Sequence, residues 1–232
     1  ATWSTALATG AFLGGLVVAN YGVDVAFVID SATFLIGALI LIPLKIPQNV
    51  SDDMRGPIFK TAYGNIKAGF VRLISEPRLK RIVFAKTTWN LAGGGLAAVF
   101  LVIAGSRMSP GEMAAGIGLF FMARGIGTGI GPIIARKYLV NKNRWPALVG
   151  ILVSVSGFFY LLIGLTLFEN LYLTLILIVL AHSASGANWV LSTILTQEWV
   201  EDEMRGRVFS IDMLLMAASF SISTYAAGWL RD

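Results

Sequence analysis

Cysteine is absent from the 232 residues, and histidine occurs once, at His182. The first absence excludes a disulfide scaffold, a thiolate metal site and a cysteine nucleophile. The second excludes a histidine-rich metal centre and the paired histidines of a zinc hydrolase helix. Charge is scarce too. Lys and Arg number 18 and Asp and Glu 13, so charged residues make up 13% of the chain, where a soluble domain carries about 25%.

Hydrophobic residues fill the space that charge leaves, at 56%, with a mean hydropathy of +0.75. The apolar residues gather in long runs, and 27 of the 31 charges fall outside those runs. Segments this apolar need lipid as their solvent. The net charge of +5 would suit nucleic acid if the basic residues shared one face of a folded domain. They sit between apolar runs instead, so they read as a topology signal and no nucleic-acid partner is expected. The chain opens at Ala1 straight into an apolar stretch and ends at Arg231-Asp232 straight after another, which reads as a segment of a longer protein.

A hydrocarbon layer of about 30 Å takes roughly 20 helical residues, and a window of that length predicts seven spans. They cover approximately 2–19, 25–44, 82–103, 114–135, 146–167, 171–195 and 209–230. The connections 20–24 and 168–170 are too short for anything but antiparallel neighbours, so spans one and two pair, as do five and six. Lys and Arg in successive connections number 0, 8, 1, 4, 0 and 2, an alternation of fourteen against one. By the positive-inside rule span one starts in the cytoplasm and span seven ends outside. The expected class is therefore an all-α, polytopic membrane bundle whose first partner is the bilayer.

The 45–81 connection has its own organisation. Phe59, Tyr63, Ile66, Phe70, Leu73 and Ile74 recur at helical spacing, with Lys60, Lys67 and Arg72 on other faces, before Pro77 stops the run. Two readings stand side by side: a helix lying on the cytoplasmic leaflet, or a linker helix packed under the bundle.

Four charges fall inside spans: Asp30, Lys86, Arg124 and Asp212. Each costs at least about 2.5 kcal/mol at mid-bilayer unless it faces a cavity or a partner. Lys86 and Asp212 lie close to cytoplasmic span ends, where snorkelling or pairing with loop charges would satisfy them. Asp30 suits an interhelical hydrogen bond or a place in a substrate or proton pathway. Arg124 is near mid-span, so it should line a wet cavity or hold a buried anion. His182, also mid-span, can hydrogen-bond a substrate or pass a proton. Asn90, Asn188 and Trp189 add polar and aromatic surface at similar depth, suited to an amphipathic small molecule. Paired carboxylates, a metal-ligand cluster and a nucleophile–base pair are all missing from the pattern, so neither an enzyme nor a cofactor is expected.

Gly10, Gly14 and Gly15 in span one, and Gly125, Gly127, Gly129 and Gly131 in span four, place small residues at spacings that allow close helix packing. Taken in order, these features resemble the major facilitator superfamily of secondary transporters. Gly10-Ala-Phe-Leu-Gly14-Gly15, then Asn20-Tyr21-Gly22 and the apolar run through Asp30, are similar to that family's fifth and sixth helices. The basic 45–81 connection is similar to its central cytoplasmic loop. Gly131-Pro-Ile-Ile-Ala135-Arg136 resembles its loop signature, with Ala135 where the signature has an acid. The stretch from Glu201 to Arg207 resembles the loop before helix eleven in the drug-exporter branch.

The resemblance implies seven helices of a twelve-helix fold. Residues 1–44 would close the N-terminal half, 45–81 would be the central loop, and 82–232 would supply five helices of the C-terminal half. It implies a plasma-membrane monomer that exports amphipathic, drug-like compounds by alternating access, coupled to protons. Arg136 and Lys137 would then face the loop of Glu201, Asp202 and Glu203, with Arg205 and Arg207 as further residues of a cytoplasmic gate. An uptake symporter or facilitator for a small solute remains open. So does a seven-span receptor, although that would place the N-terminus outside.

Overall fold

The computed structural model describes residues 2–44, 57–108, 113–138, 141–166 and 170–229. The remaining parts of the expected connections, and Arg231-Asp232, lie outside the described residues. All regular structure among the described residues is helical. In order, the helices are α1 (Thr2–Tyr21), α2 (Val23–Leu41), α3 (Ile58–Ser75), α4 (Pro77–Trp89), α5 (Gly95–Met108), α6 (Met113–Tyr138), α7 (Trp145–Thr166), α8 (Leu171–Trp199) and α9 (Asp202–Trp229). A π-helical turn, Asn90–Gly94, joins α4 to α5, so these two helices form one continuous span. Seven spans are long and apolar enough to cross a membrane, in the places the hydropathy predicts.

The termini of these helices follow local chemistry. Gly22, with φ of 84°, makes the one-residue break between α1 and α2, a conformation open to glycine and strained for other residues. Pro77 opens α4, where its missing N–H is no loss. The side-chain oxygen of Asn170 accepts the Leu173 N–H at 3.0 Å and caps α8. At the ends where they meet, α8 and α9 outrun the expected spans, to Trp199 rather than 195 and from Asp202 rather than 209. With 29 and 28 residues they reach about 42 Å, more than the hydrocarbon layer of about 30 Å. Their charged ends continue the backbone ladder past the apolar run, where hydropathy sets no limit.

The bundle is centred on α6, whose most extensive contacts are with α8 and α1, while α8 also packs on α7. The glycines of α6 divide between two faces. A Cβ on Gly118 would lie 2.7 Å from the Ala11 carbonyl, and one on Gly125 would lie 2.5 Å from the Ala8 nitrogen, so these two face α1. A Cβ on Gly127 would lie 2.5 Å from the Val179 carbonyl and one on Gly131 only 1.8 Å from the Ser183 carbonyl, so these face α8. Of the glycines expected to pack, Gly15 and Gly125 do so closely, and Gly129 makes an ordinary contact with Ser4. Gly10 and Gly14 face open space. Their spacing is right, but their side of α1 has no neighbour among the described residues.

Spans one and two pair as expected, and so do five and six. α2 rests on α1 and buries none of its residues. α3 combines features of both readings of the amphipathic connection. Leu73 is buried, and Gly69 presses on the Arg207 carbonyl of α9, while Phe59, Tyr63 and Ile66 stay exposed.

Candidate functional site

Two polar clusters occupy the interior of this apolar bundle. The first joins α4, the π turn and α9. Lys86 and Asp212 are almost wholly buried, 1% and 0% exposed, and Nζ of Lys86 donates to Oδ2 of Asp212 at 2.5 Å. One turn further along, Asn90 donates its amide to the Met216 carbonyl at 2.6 Å and to the Ser219 hydroxyl at 3.0 Å. The spacing of four on α4 meets the spacing of four and seven on α9, so one seam carries all these contacts.

The π turn belongs to this seam. A Cβ on Gly94 would lie 2.1 Å from Oδ1 of Asn90, and one on Gly95 2.3 Å from Oγ1 of Thr224. The run Gly93-Gly94-Gly95 thus leaves room for the Asn90 amide and brings the α9 backbone close. π turns of this kind arise where the α-helical ladder is locally overridden, frequently at functional sites.

The second cluster joins α6, α7 and α8. The Tyr160 hydroxyl lies 2.5 Å from Nε2 of His182, and the Ser185 hydroxyl lies 3.3 Å from Nδ1 on the other side of the ring. Arg124 is within electrostatic reach of both Tyr160 and His182. Its guanidinium carbon lies 5.9 Å from the centre of the Phe121 ring, and its Nε is buried with no hydrogen-bond partner. No carboxylate among the described residues pairs with it.

α8 connects the clusters. His182, Ser185, Asn188 and Ser192 recur every third or fourth residue and are all buried, which makes a polar stripe along one face of a transmembrane helix. Beside that stripe, Trp189 lies under the Lys86 ammonium, 4.8 Å from Nζ to the ring centre, a cation–π contact reaching into the first cluster. Oδ1 of Asn188 and Oδ1 of Asp212 are buried with no partner among the described residues. The two clusters therefore hold three unsatisfied polar atoms, counting Nε of Arg124, in a place where such atoms are costly.

The structure thus brings Arg124 and His182 together, and seats Trp189 and Asn90 beside a pair the sequence reading treats as peripheral. Lys86 and Asp212 do not snorkel; they pair with each other through Oδ2, which leaves Oδ1 of Asp212 without a partner. Asp30 lies apart on exposed α2, where its backbone carbonyl accepts the Thr33 hydroxyl at 2.7 Å.

The expected gate residues are differently arranged. Glu201 is held by Arg72 of α3, through Nε to Oε2 and Nη2 to Oε1, both at 3.0 Å. The hydrogen bonds from the Arg72 guanidinium hold the Glu201 carboxyl below its usual value. Asp202 pairs within its own helix with Arg205, whose Nε also reaches the Gln197 and Val200 carbonyls. Nη1 of Arg207 points at the Met204 sulfur at 3.7 Å. Arg136 and Lys137 are exposed at the end of α6, Lys137 against the Tyr138 ring. The physical reason is distance along the bundle surface: α3 packs on α9 and delivers Arg72 to Glu201 first.

The chain is 26% identical over 219 residues to the protein of Bacillus subtilis (strain 168) described as "Putative bacilysin exporter BacE". The match covers 93% of this chain and 52% of that protein, so the chain spans about half its relative's length. No family model matches the chain. No solved structure matches it either. The fold and its seven spans define a multi-pass α-helical membrane protein, and its similarity is to a membrane exporter.

Proposed function

We propose that this chain forms the substrate-handling part of a secondary active exporter of the major facilitator type. It would move small amphipathic compounds out of the cell by alternating access, with protons as the coupling ion. The observation that carries this reading is the polar interior of α4, α6, α8 and α9, and above all Arg124, a half-buried cation whose buried Nε has no hydrogen-bond partner and with which no carboxylate among the described residues pairs. A bundle with only a structural role gains nothing from a lone guanidinium that costs about 2.5 kcal/mol or more in lipid. A pathway for polar groups gives it a use. The similarity to an exporter supports the direction of transport.

In this reading α1 and α2 belong to the half that precedes the 45–81 connection, and α4 to α9 belong to the other. The close approach of Gly15 to Gly118, where a Cβ on Gly15 would meet the Ala114 carbonyl at 2.7 Å, is then a contact between halves. Small residues leave a smooth surface across which one half can rock on the other. α6 and α8 are closely packed in this state through Gly127 and Gly131, and their parting in another state would admit substrate beside Arg124, His182 and Asn188, with Trp189 as an aromatic wall. Arg72, Glu201 and the Asp202–Arg205 pair hold the cytoplasmic ends of α3, α8 and α9 in one state and release them in another.

The test is transport by the complete reading frame in inside-out vesicles. Addition of an amphipathic substrate should dissipate an imposed proton gradient, and Arg124→Ala should abolish the response while the protein remains folded. A well-folded protein that responds to none of a broad substrate panel would overturn proton-coupled export and favour an uptake carrier or facilitator.

A further inference from the structure

Away from the polar clusters, a cavity of about 880 Å³ opens between the first turns of α4 and α7 and the end of α8. Its rim carries Arg78, Arg81 and Lys142, three cations, against one carboxylate, Glu198, which pairs with Lys142. Neither Arg78 nor Arg81 has an ion-pair partner among the described residues. Both sit in the first turns of α4, whose N-cap is Glu76 and whose first turn carries no acidic residue. Below the rim the lining turns apolar, with Leu195 and Trp199 over a packed cluster that includes Val149.

The cavity does not end there. A shallow, open surface runs along the outer face of α7 from Ala147 through Ile151, Ser154 and Val155 to Phe158, and shares Ala147 and Gly150 with the basic cavity. A Cβ at Gly150 would meet nothing within 4 Å, and Ile151, Val155 and Phe158 are exposed, so this face is open among the described residues. From Ala147 to Phe158 the helix rises about 16 Å, close to the half-thickness of a hydrocarbon layer, about 15 Å. A cationic pocket at the membrane boundary continues into an apolar surface one leaflet deep.

We propose that this continuous surface binds a single anionic phospholipid, its phosphate between Arg78 and Arg81 and an acyl chain along α7. Charge complementarity selects the headgroup, and the apolar surface selects a lipid over a soluble phosphate. The two arginines present forked donors suited to phosphate oxygens. The lipid braces α4 against α7 at the end where α4 leads up to Lys86. The site stands on its own geometry and does not depend on the transport reading.

The experiment is a titration of the purified chain in neutral detergent, with bound lipid counted by native mass spectrometry. Dioleoylphosphatidylglycerol should bind one per chain and displace dioleoylphosphatidylcholine. Arg78→Gln with Arg81→Gln should weaken that binding roughly twenty-five-fold, taking about fivefold for each basic group near an anionic lipid. The same loss of charge at Lys60 and Lys67 on α3 should leave it in place. Should the double variant fail to fold, Arg81→Gln alone should show the fivefold step. Equal binding of phosphatidylcholine would overturn the proposal, as would equal weakening by the α3 variant. Displacement of the lipid by millimolar inorganic phosphate would overturn it too, by identifying a soluble phosphate site.

Discussion

The seam between α4 and α9 and the cluster between α6 and α8 use the same kinds of residue in opposite ways. At the seam, Lys86 and Asp212 cancel each other's charge at 2.5 Å, with Trp189 stacked under the ammonium. In the α6–α8 cluster, Arg124 lies over the Phe121 ring near the hydrogen-bonded Tyr160 and His182, and no carboxylate among the described residues answers it. A paired charge in lipid is a fastener whose removal leaves its partner stranded. An unpaired one destabilises the resting bundle and is retained for what it contacts during work. The difference separates residues that hold the protein together from residues that the proposed pathway uses.

That contrast is sharpest at Asp212. Asp212→Asn should destabilise the bundle by about 3–5 kcal/mol, because it strands a buried ammonium, while replacing both partners by Lys86→Met and Asp212→Leu should recover most of the loss. Unfolding of the purified protein in mixed detergent measures both. A mild effect of the single change would mean that Lys86 has other support, and the seam would no longer differ from the Arg124 cluster.

Arg124→Met should act in the opposite direction. Removing an unpaired charge from mid-span should raise stability by roughly 2 kcal/mol, while transport is lost. If this variant is instead as unstable as Asp212→Asn, Arg124 has a structural partner and the comparison fails.

The smallest effect belongs to the exposed pair of Arg72 and Glu201, a counterpart of the buried one in water. Because Arg72 holds the Glu201 carboxyl below its usual value, the pair contributes stability at neutral pH. That contribution is present above the ordinary carboxylate value near 4.5 and fades as the pH falls below it through the lower folded value. Hydrogen exchange in α3 should accelerate over that acid range, and Glu201→Gln should remove the pH dependence. Solvent screening keeps the effect slight.

How much of this was legible in the sequence differs by element. The seven spans follow from apolar run length alone, since lipid leaves a helix little choice. The polar stripe on α8 is readable as His182, Ser185, Asn188 and Ser192 at helical spacing. The Lys86–Asp212 pair carried a signal too. The two residues have opposite sign and sit at similar depth from the same side, five and four residues into the predicted spans three and seven. Depth permits a match, but it cannot say which helices are neighbours. The gate pairing went astray for the same reason, because α3 reaches Glu201 before α6 does.

The sequence by itself determined that this is a helical membrane protein, where its spans lie and which residues are too polar for lipid, because hydration energy is local to each residue. Tertiary structure alone decided which polar groups meet. Whether Gly131 fits against Ser183 or Gly14 faces nothing depends on the rotation of each helix about its axis. So does whether a charge finds its opposite, as Lys86 does, or stands alone, as Arg124 does. Packing fixes that rotation, and hydropathy does not encode it.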